Sequence, residues 1–185
     1  MFSRLLRTFP GDTTMQSLFR PLRAVLAALA LFAIINPASA AALSDTAENA
    51  VLDAVLRAQA LGAPATQHWG LTTDTCTDAG AGTEPAGGAY ARVAVTASLA
   101  NWSGTQGAAT TVASTGTGGT SSNNNIITWP ESTAAWGNLQ AVRMYTASTG
   151  GAVWICIDLT AAFNVTGAGT TVRFPAAALQ FQIDN

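Results

Sequence analysis

The sequence predicts a mainly β protein, an antiparallel β-sandwich or jelly-roll-like domain with one N-terminal amphipathic helix. Two observations support this fold class. Up to residue 60 the apolar residues recur at helical spacing, whereas beyond Pro64 they alternate with a period of two, as in strands. Turn residues separate the alternating runs, and residues 148–151 (Ser-Thr-Gly-Gly) give the strongest hairpin signal. Several short strands joined by such turns are typical of sandwiches.

The pattern of residues 1–40 is typical of a targeting leader. Within residues 15–40, two arginines precede the twelve-residue apolar run 24–35, and Ala38 and Ala40 follow in a small-x-small pattern. This arrangement is typical of a secretory signal peptide. The apolar run is shorter than the roughly 20 residues of an ordinary membrane span. We expect cleavage near Ala40. The alternatives are a hydrophobic arm buried in an assembly and an uncleaved anchor, which would be the chain's only contact with a membrane.

Residues 41–185 are expected to form a single β-rich domain, because 145 residues suffice to bury a core. This segment carries nine of the ten acidic residues and four of the eight arginines, and the chain has no lysine, so its formal charge is −5. Nucleic-acid binding requires a basic face that neutralises phosphates. We therefore expect no nucleic-acid partner.

Residues 43–60 form the predicted helix. Ser44 or Asp45 can cap its start, and Glu48 lies three residues after Asp45, as in a capping box. The predicted apolar stripe consists of Ala47, Val51, Ala54, Val55 and Ala58. We expect this stripe to pack on the sheet or on a neighbouring subunit.

Strands are predicted over residues 66–72, 87–96, 127–129, 139–145, 152–159, 172–174 and 179–183. The segment 152–159 is apolar on both faces, which predicts a central strand. The last segment alternates apolar residues with glutamines, which predicts a half-buried strand. A second hairpin signal lies at residues 166–169. Residues 103–125 contain almost no large apolar residue and are predicted to form a flexible arm.

The two cysteines, Cys76 and Cys156, allow two interpretations. In an exported protein they would form a disulfide between a loop and a strand. In a particle assembled in the cytoplasm they would stay reduced, and Cys156 would be an ordinary buried thiol.

The chain offers little catalytic chemistry. His68 is the only histidine, and we interpret it as a polar residue at a strand edge. The histidine and cysteines are too few for a closed zinc site, and no phosphate-binding glycine motif is present. Asp74, Asp78 and Glu84 are interpreted as part of a solvated turn-rich loop, with a weak calcium site or a glycosidase pair as alternatives. We expect no enzymatic activity, no cofactor and no bound metal.

Four residues are candidates for contacts with a partner or a glycan. In the stretch 87–96, alternation directs Ala91, Val93 and Val95 to the core and Tyr90 and Arg92 outward or toward a partner. Most of the five tryptophans fall in or beside strands, where core packing is favoured. Trp102 and Trp136 lie in loops and are the better surface candidates.

An ordered series of short motifs runs through residues 43–184. Its members are 43–49 (Leu-Ser-Asp-Thr-Ala-Glu-Asn), 63–66 (Ala-Pro-Ala-Thr), 72–74 (Thr-Thr-Asp), 77–80 (Thr-Asp-Ala-Gly), 87–92 (Gly-Gly-Ala-Tyr-Ala-Arg), 125–130 (Asn-Ile-Ile-Thr-Trp-Pro), 136–137 (Trp-Gly), 149–151 (Thr-Gly-Gly) and 174–179 (Phe-Pro-Ala-Ala-Ala-Leu). This order resembles that of small tailed-bacteriophage virion proteins, described as phage tail fibre-like or head decoration-like. The resemblance implies a non-enzymatic structural subunit of the virion, whose partners are copies of itself, as a homo-oligomer, and other virion proteins.

The leader favours a second hypothesis. An exported bacterial surface or periplasmic β-sandwich module that binds carbohydrate through Trp102 or Trp136 would be secreted or periplasmic after cleavage near Ala40. We rank this below the virion protein.

Overall fold

The structure is a computed structural model that describes residues 42–183, so the predicted leader at residues 1–40, with its signal-like part at 15–40, lies outside it. The described elements are, in chain order, β1 (Ala42–Leu43), α1 (Asp45–Arg57), β2 (Thr66–Thr72), β3 (Val93–Thr96), β4 (Thr120–Ser122), β5 (Ile127–Thr128), β6 (Gly137–Tyr145), β7 (Val153–Val165), β8 (Arg173–Phe174) and β9 (Gln180–Gln182). Within this range no helix is both long and apolar enough to cross a membrane.

The strands form one main sheet and two ribbons, and every pairing is antiparallel. The main sheet has the order β1-β7-β6-β2-β3, and the ribbons are β4–β9 and β5–β8. This confirms the prediction of a mainly β, antiparallel fold with one N-terminal helix. In this order β6 is the central strand. The predicted strand 152–159 belongs to the longer β7, which lies next to β6 and pairs on its other side with β1 over two residues only.

One face of the main sheet carries the hydrophobic core. The register aligns Trp69 of β2, Met144 of β6 and Ile155 of β7 in one row across this face. Ile127 and Phe174 from the β5–β8 ribbon are buried in the same cluster. The ribbon and the main sheet therefore share a single core, as in a sandwich.

The opposite face of the main sheet is covered by the loop 73–92. Arg143 of β6 lies on this face and is 1% exposed. Its Nη1 donates to Asp74 Oδ1 at 2.7 Å and its Nη2 to the Thr75 carbonyl at 2.7 Å. Gly82 passes over the guanidinium with a φ of +73°, where any Cβ would overlap it.

A disulfide fastens the same loop to the sheet. Cys76 is bonded to Cys156 of β7, across 80 residues of sequence. Next to the bond, the Cys76 N–H donates to Asp158 Oδ1 at 2.7 Å. Of the two interpretations of the cysteines, the structure contains the loop-to-strand disulfide.

The helix is shorter than predicted and turns a different face inward. Ser44 is its N-cap, accepting a hydrogen bond from the Ala47 N–H at 3.4 Å, so Glu48 is one residue too late for a capping box. The helix ends at Arg57, and Ala58 adopts a left-handed conformation.

The predicted apolar stripe divides between the two sides of α1. Ala47 is buried and Ala54 half-buried against the body, whereas Val51, Val55 and Ala58 are exposed. The small alanines allow the helix to lie close to the body, and the larger aliphatic residues point away from it.

Three further predictions are corrected. In the segment 87–96 only Val93–Thr96 forms a strand, and Ala91 is exposed. The predicted flexible arm 103–125 contains β4, and its Ser103, Ser122 and Asn123 are buried, so both of its ends are fixed to the body. The turn at 166–169 joins β7 to β8 of a different sheet and does not form a hairpin.

We expect reduction of the disulfide to lower the free energy of unfolding by about 2–4 kcal/mol, because the bond restricts a long segment of the unfolded chain. The measurement is urea unfolding with and without a reductant. The Cys76→Ala/Cys156→Ala variant is the control and should not respond to the reductant. An equal response of the variant and the original protein would contradict the assignment.

Candidate interaction surfaces

A network of polar side chains occupies the space between the loop 73–92 and the main sheet. Glu84 is at its centre and accepts two hydrogen bonds from Arg92 Nε, at 2.9 and 3.1 Å, and one from Arg92 Nη2 at 2.6 Å. The Tyr90 hydroxyl donates to Glu84 Oε1 at 2.7 Å and accepts from the Leu71 N–H at 2.8 Å. The network joins the loop to β2.

Arg92 and Tyr90 are directed into the body, contrary to the prediction that they face outward. The Arg92 side chain is 6% exposed, and its guanidinium carbon lies 3.4 Å from the ring centroid of Tyr145. Its Nη1 also donates to the carbonyls of Ala147 and Gly150, at 2.7 and 2.6 Å, which ties the β6–β7 hairpin to the loop. Alternation of side chains could not reveal this, because the strand begins only after Arg92.

The pKa values of the two tyrosine hydroxyls are raised by their surroundings. Burial, together with the neighbouring charge of Glu84, raises the pKa of Tyr145 to about 12. Burial and the hydrogen bond to Glu84 raise the pKa of Tyr90 even further above its ordinary value. Both phenols therefore remain protonated far into the alkaline range.

The acidic residues of the loop are held by arginines. Asp74 and Glu84 are paired with Arg143 and Arg92, so two of the three carboxylates predicted to be solvated have specific partners. Burial alone would raise the pKa of Asp74, but hydrogen bonds from Arg143 and the Thr83 N–H, with the charge of Arg143, hold it below its usual range. Among residues 42–183 no group of three or more acidic, histidine or cysteine side chains is arranged to hold a metal ion.

Two other residues do not lie where the sequence analysis placed them. Trp136 is 4% exposed, its indole N–H donates to the Gly88 carbonyl at 2.8 Å, and its ring meets that of Tyr90 edge-on at 5.4 Å. The predicted surface position of Trp136 is therefore wrong. His68 is half-buried in β2, which lies between β3 and β6, so it is not on an edge strand.

Trp102 lines a surface pocket, which we call the Trp102 pocket. Its volume is about 530 Å³. The lining residues are Gln67, Trp69, Ala97, Ser98, Leu99, Trp102, Ser103, Gly104, Ser114, Ser121, Ile155 and Phe181. Trp102 packs on Trp69 with 5.2 Å between ring centroids. None of these lining residues is charged, so the pocket suits an apolar ligand.

The second exposed apolar feature is the outer side of the helix. Val51, Leu52, Val55 and Leu56 form what we call the aliphatic face of α1, and they are 36%, 54%, 75% and 74% exposed, respectively. Their i, i+4 spacing places them side by side on the helix surface. Exposed aliphatic residues gathered in this way indicate an interaction site more strongly than scattered ones.

Half of this face could be predicted from the sequence. The predicted apolar stripe contains Val51 and Val55 but not Leu52 and Leu56. The size of the side chains could have revealed the whole face, because alanines occupy one side of the helix and valines and leucines occupy another. Nothing local in the sequence indicates that Leu99 and Phe181, far apart along the chain, line one pocket.

A protein-family model matches most of the chain. The family model described as "Podophage GP4 fiber I protein gp80" matches residues 42–182, well over half of the chain. No curated protein matches the sequence significantly.

The tyrosine network can be tested directly, because Tyr90 and Tyr145 are the chain's two tyrosines. We expect the folded protein to develop no phenolate absorbance until the pH approaches about 12, the pKa of Tyr145. Unfolded protein should titrate near pH 10. Because the folded-state pKa is raised, the stabilising contribution is complete below about pH 10 and is lost as the pH rises toward the folded value. Phenolate absorbance near pH 10 in folded protein would contradict the network.

Proposed function

This chain belongs to the family described as podophage GP4 fiber I protein gp80, and we propose that it is a non-enzymatic fibre subunit that associates with copies of itself. Family membership gives the chain a structural role in a phage and a place in the virion among other virion proteins. The proposal favours a fibre over head decoration, since the family is named for a fibre protein. The observation that carries the self-association is the aliphatic face of α1.

The body presents this face in a fixed position. Ser44 Oγ donates to the Val153 carbonyl of β7, and the Asp45 N–H donates to the Asp78 carbonyl of the covering loop at 3.2 Å. The start of the helix is thereby attached to the sheet and to the loop. A helix anchored in this way can offer Leu52 and Leu56 to a neighbour without first becoming ordered, which reduces the entropic cost of association.

The same contacts support a non-enzymatic role. The carboxylates of Asp74 and Glu84 are engaged by arginines and belong to the structural network. His68 lies within a paired strand of the sheet. Asp74 and Glu84 thus hold the loop on the sheet.

We expect the full chain to be oligomeric in analytical ultracentrifugation and the Leu52→Gln/Leu56→Gln variant to dissociate. Burying a fully exposed leucine contributes about 1.5–3 kcal/mol, so loss of these two partly exposed leucines should weaken association about 100-fold. Glutamine has a high helix propensity, so the helix should be retained.

The Ile126→Gln/Ile183→Gln variant is a matched control. Ile126 and Ile183 are 54% and 72% exposed, close to the 54% and 74% of Leu52 and Leu56, but lie outside α1. The control should associate like the original protein, and circular dichroism should show that both variants are folded. A full chain that is monomeric at every concentration, or equal behaviour of the two variants, would refute self-association through α1.

A further inference from the structure

The Trp102 pocket is built from several separate parts of the chain. Trp69 and Ile155 form its base on the core face of the main sheet. The segment 97–104 and the β4–β9 ribbon, through Phe181, form its walls. The pocket therefore depends on the folded arrangement of these elements.

The serine hydroxyls of the wall are already used within the chain. Ser103 Oγ accepts the Ser122 N–H at 2.9 Å, and Ser121 Oγ donates to the Ser103 carbonyl at 2.7 Å. Ser98 Oγ accepts the Asn101 N–H at 3.3 Å. With these hydroxyls engaged, the pocket mainly offers aromatic and aliphatic surface, which favours aliphatic side chains as its occupant.

The helix cannot fill the pocket of its own chain in this structure. No residue of α1 lines the pocket. The helix is attached to Asp78 in the loop that covers Arg143, whereas Trp69 and Ile155 lie on the other face of the sheet. Each copy thus has an aliphatic projection and an uncharged aromatic pocket at different places on its surface.

We propose that the Trp102 pocket receives the aliphatic face of α1 from a second copy of this chain, an inference that rests on the proposed self-association. Leu52 and Leu56 enter between Trp102, Leu99 and Phe181. The acidic first turn of the helix, with Asp45 and Glu48, stays outside the pocket, which has no charged residue to pair with it.

This contact joins two different surfaces, so it is heterologous. Every copy that donates its helix keeps an open pocket for the next copy. Heterologous contacts close into rings or continue as open chains, depending on the rotation between neighbours. Repetition along a line is what a fibre requires.

Two kinds of variant separate the donor from the acceptor. Leu52→Gln/Leu56→Gln removes the donor and leaves the pocket intact. Ala97→Phe fills the pocket and leaves the helix intact, because Ala97 lines the pocket. Leu99→Gln, at a pocket residue that is 54% exposed, makes the wall polar and serves if Ala97→Phe does not fold. Ile126→Gln, at an equally exposed residue outside the pocket, is its control.

Mixing the two variants is the decisive experiment, with native mass spectrometry of the full chains as the readout. We expect each variant alone to be monomeric and the mixture to form a heterodimer, in which the helix of the pocket variant occupies the pocket of the helix variant. Growth should stop at the dimer, because neither partner has a second working contact. Ile126→Gln should assemble like the original protein.

Other outcomes overturn the inference. If pocket variants assemble normally while the helix variant does not, the helices pair with each other, and the proposed self-association stands without the pocket. If such a pocket variant instead loses binding on a glycan array, the pocket belongs to a sugar. A mixture that remains monomeric shows that the two surfaces do not meet. A helix variant that assembles normally removes both proposals.

Discussion

The buried guanidinium of Arg143 is the constraint on which the covered face of the sheet depends. It lies on the central strand, 1% exposed, where an unpaired charge would be very costly. Asp74 and the carbonyl of Thr75 supply its partners, which fixes the beginning of the covering loop. The neighbouring residue, Cys76, is bonded to β7, and the loop then reaches Asp78, whose carbonyl holds the first turn of the helix. The position of α1 is therefore linked to a charge in the middle of the sheet.

The elements predicted well are those whose signals are local. Strand β2 occupies Thr66–Thr72, as its alternation predicted, and two glycines with positive φ turn the β6–β7 hairpin at residues 150–151. The interior positions of Arg92 and Trp136 were missed because tertiary contacts decide them. Arg92 is drawn inward by Glu84 and the Tyr145 ring, neither of which is adjacent to it in the sequence. A charged residue beside alternating valines has the same local pattern whether it faces solvent or a buried carboxylate.

The candidate surfaces, too, were predicted only where the sequence signal was local. Trp102 could be identified from the sequence as a tryptophan outside the strands, but its pocket is assembled from segments more than 100 residues apart. On the helix, periodicity located the apolar residues but could not identify which side meets the body. Close packing favoured the alanines there, because small side chains let a helix approach the edge of a sheet. The larger residues thereby remain exposed.

The disulfide also determines how the domain carries mechanical load. Tension applied at the two ends of the described chain passes from Cys76 to Cys156 through a covalent bond. The segment between the two cysteines includes β3 and β6. It is shielded from extension until that bond breaks. At roughly 3.3–3.6 Å per residue, about 270 Å of chain is withheld from stretching. A subunit built in this way yields less than half of the length that it would without the bond, which would suit the proposed fibre role under shear.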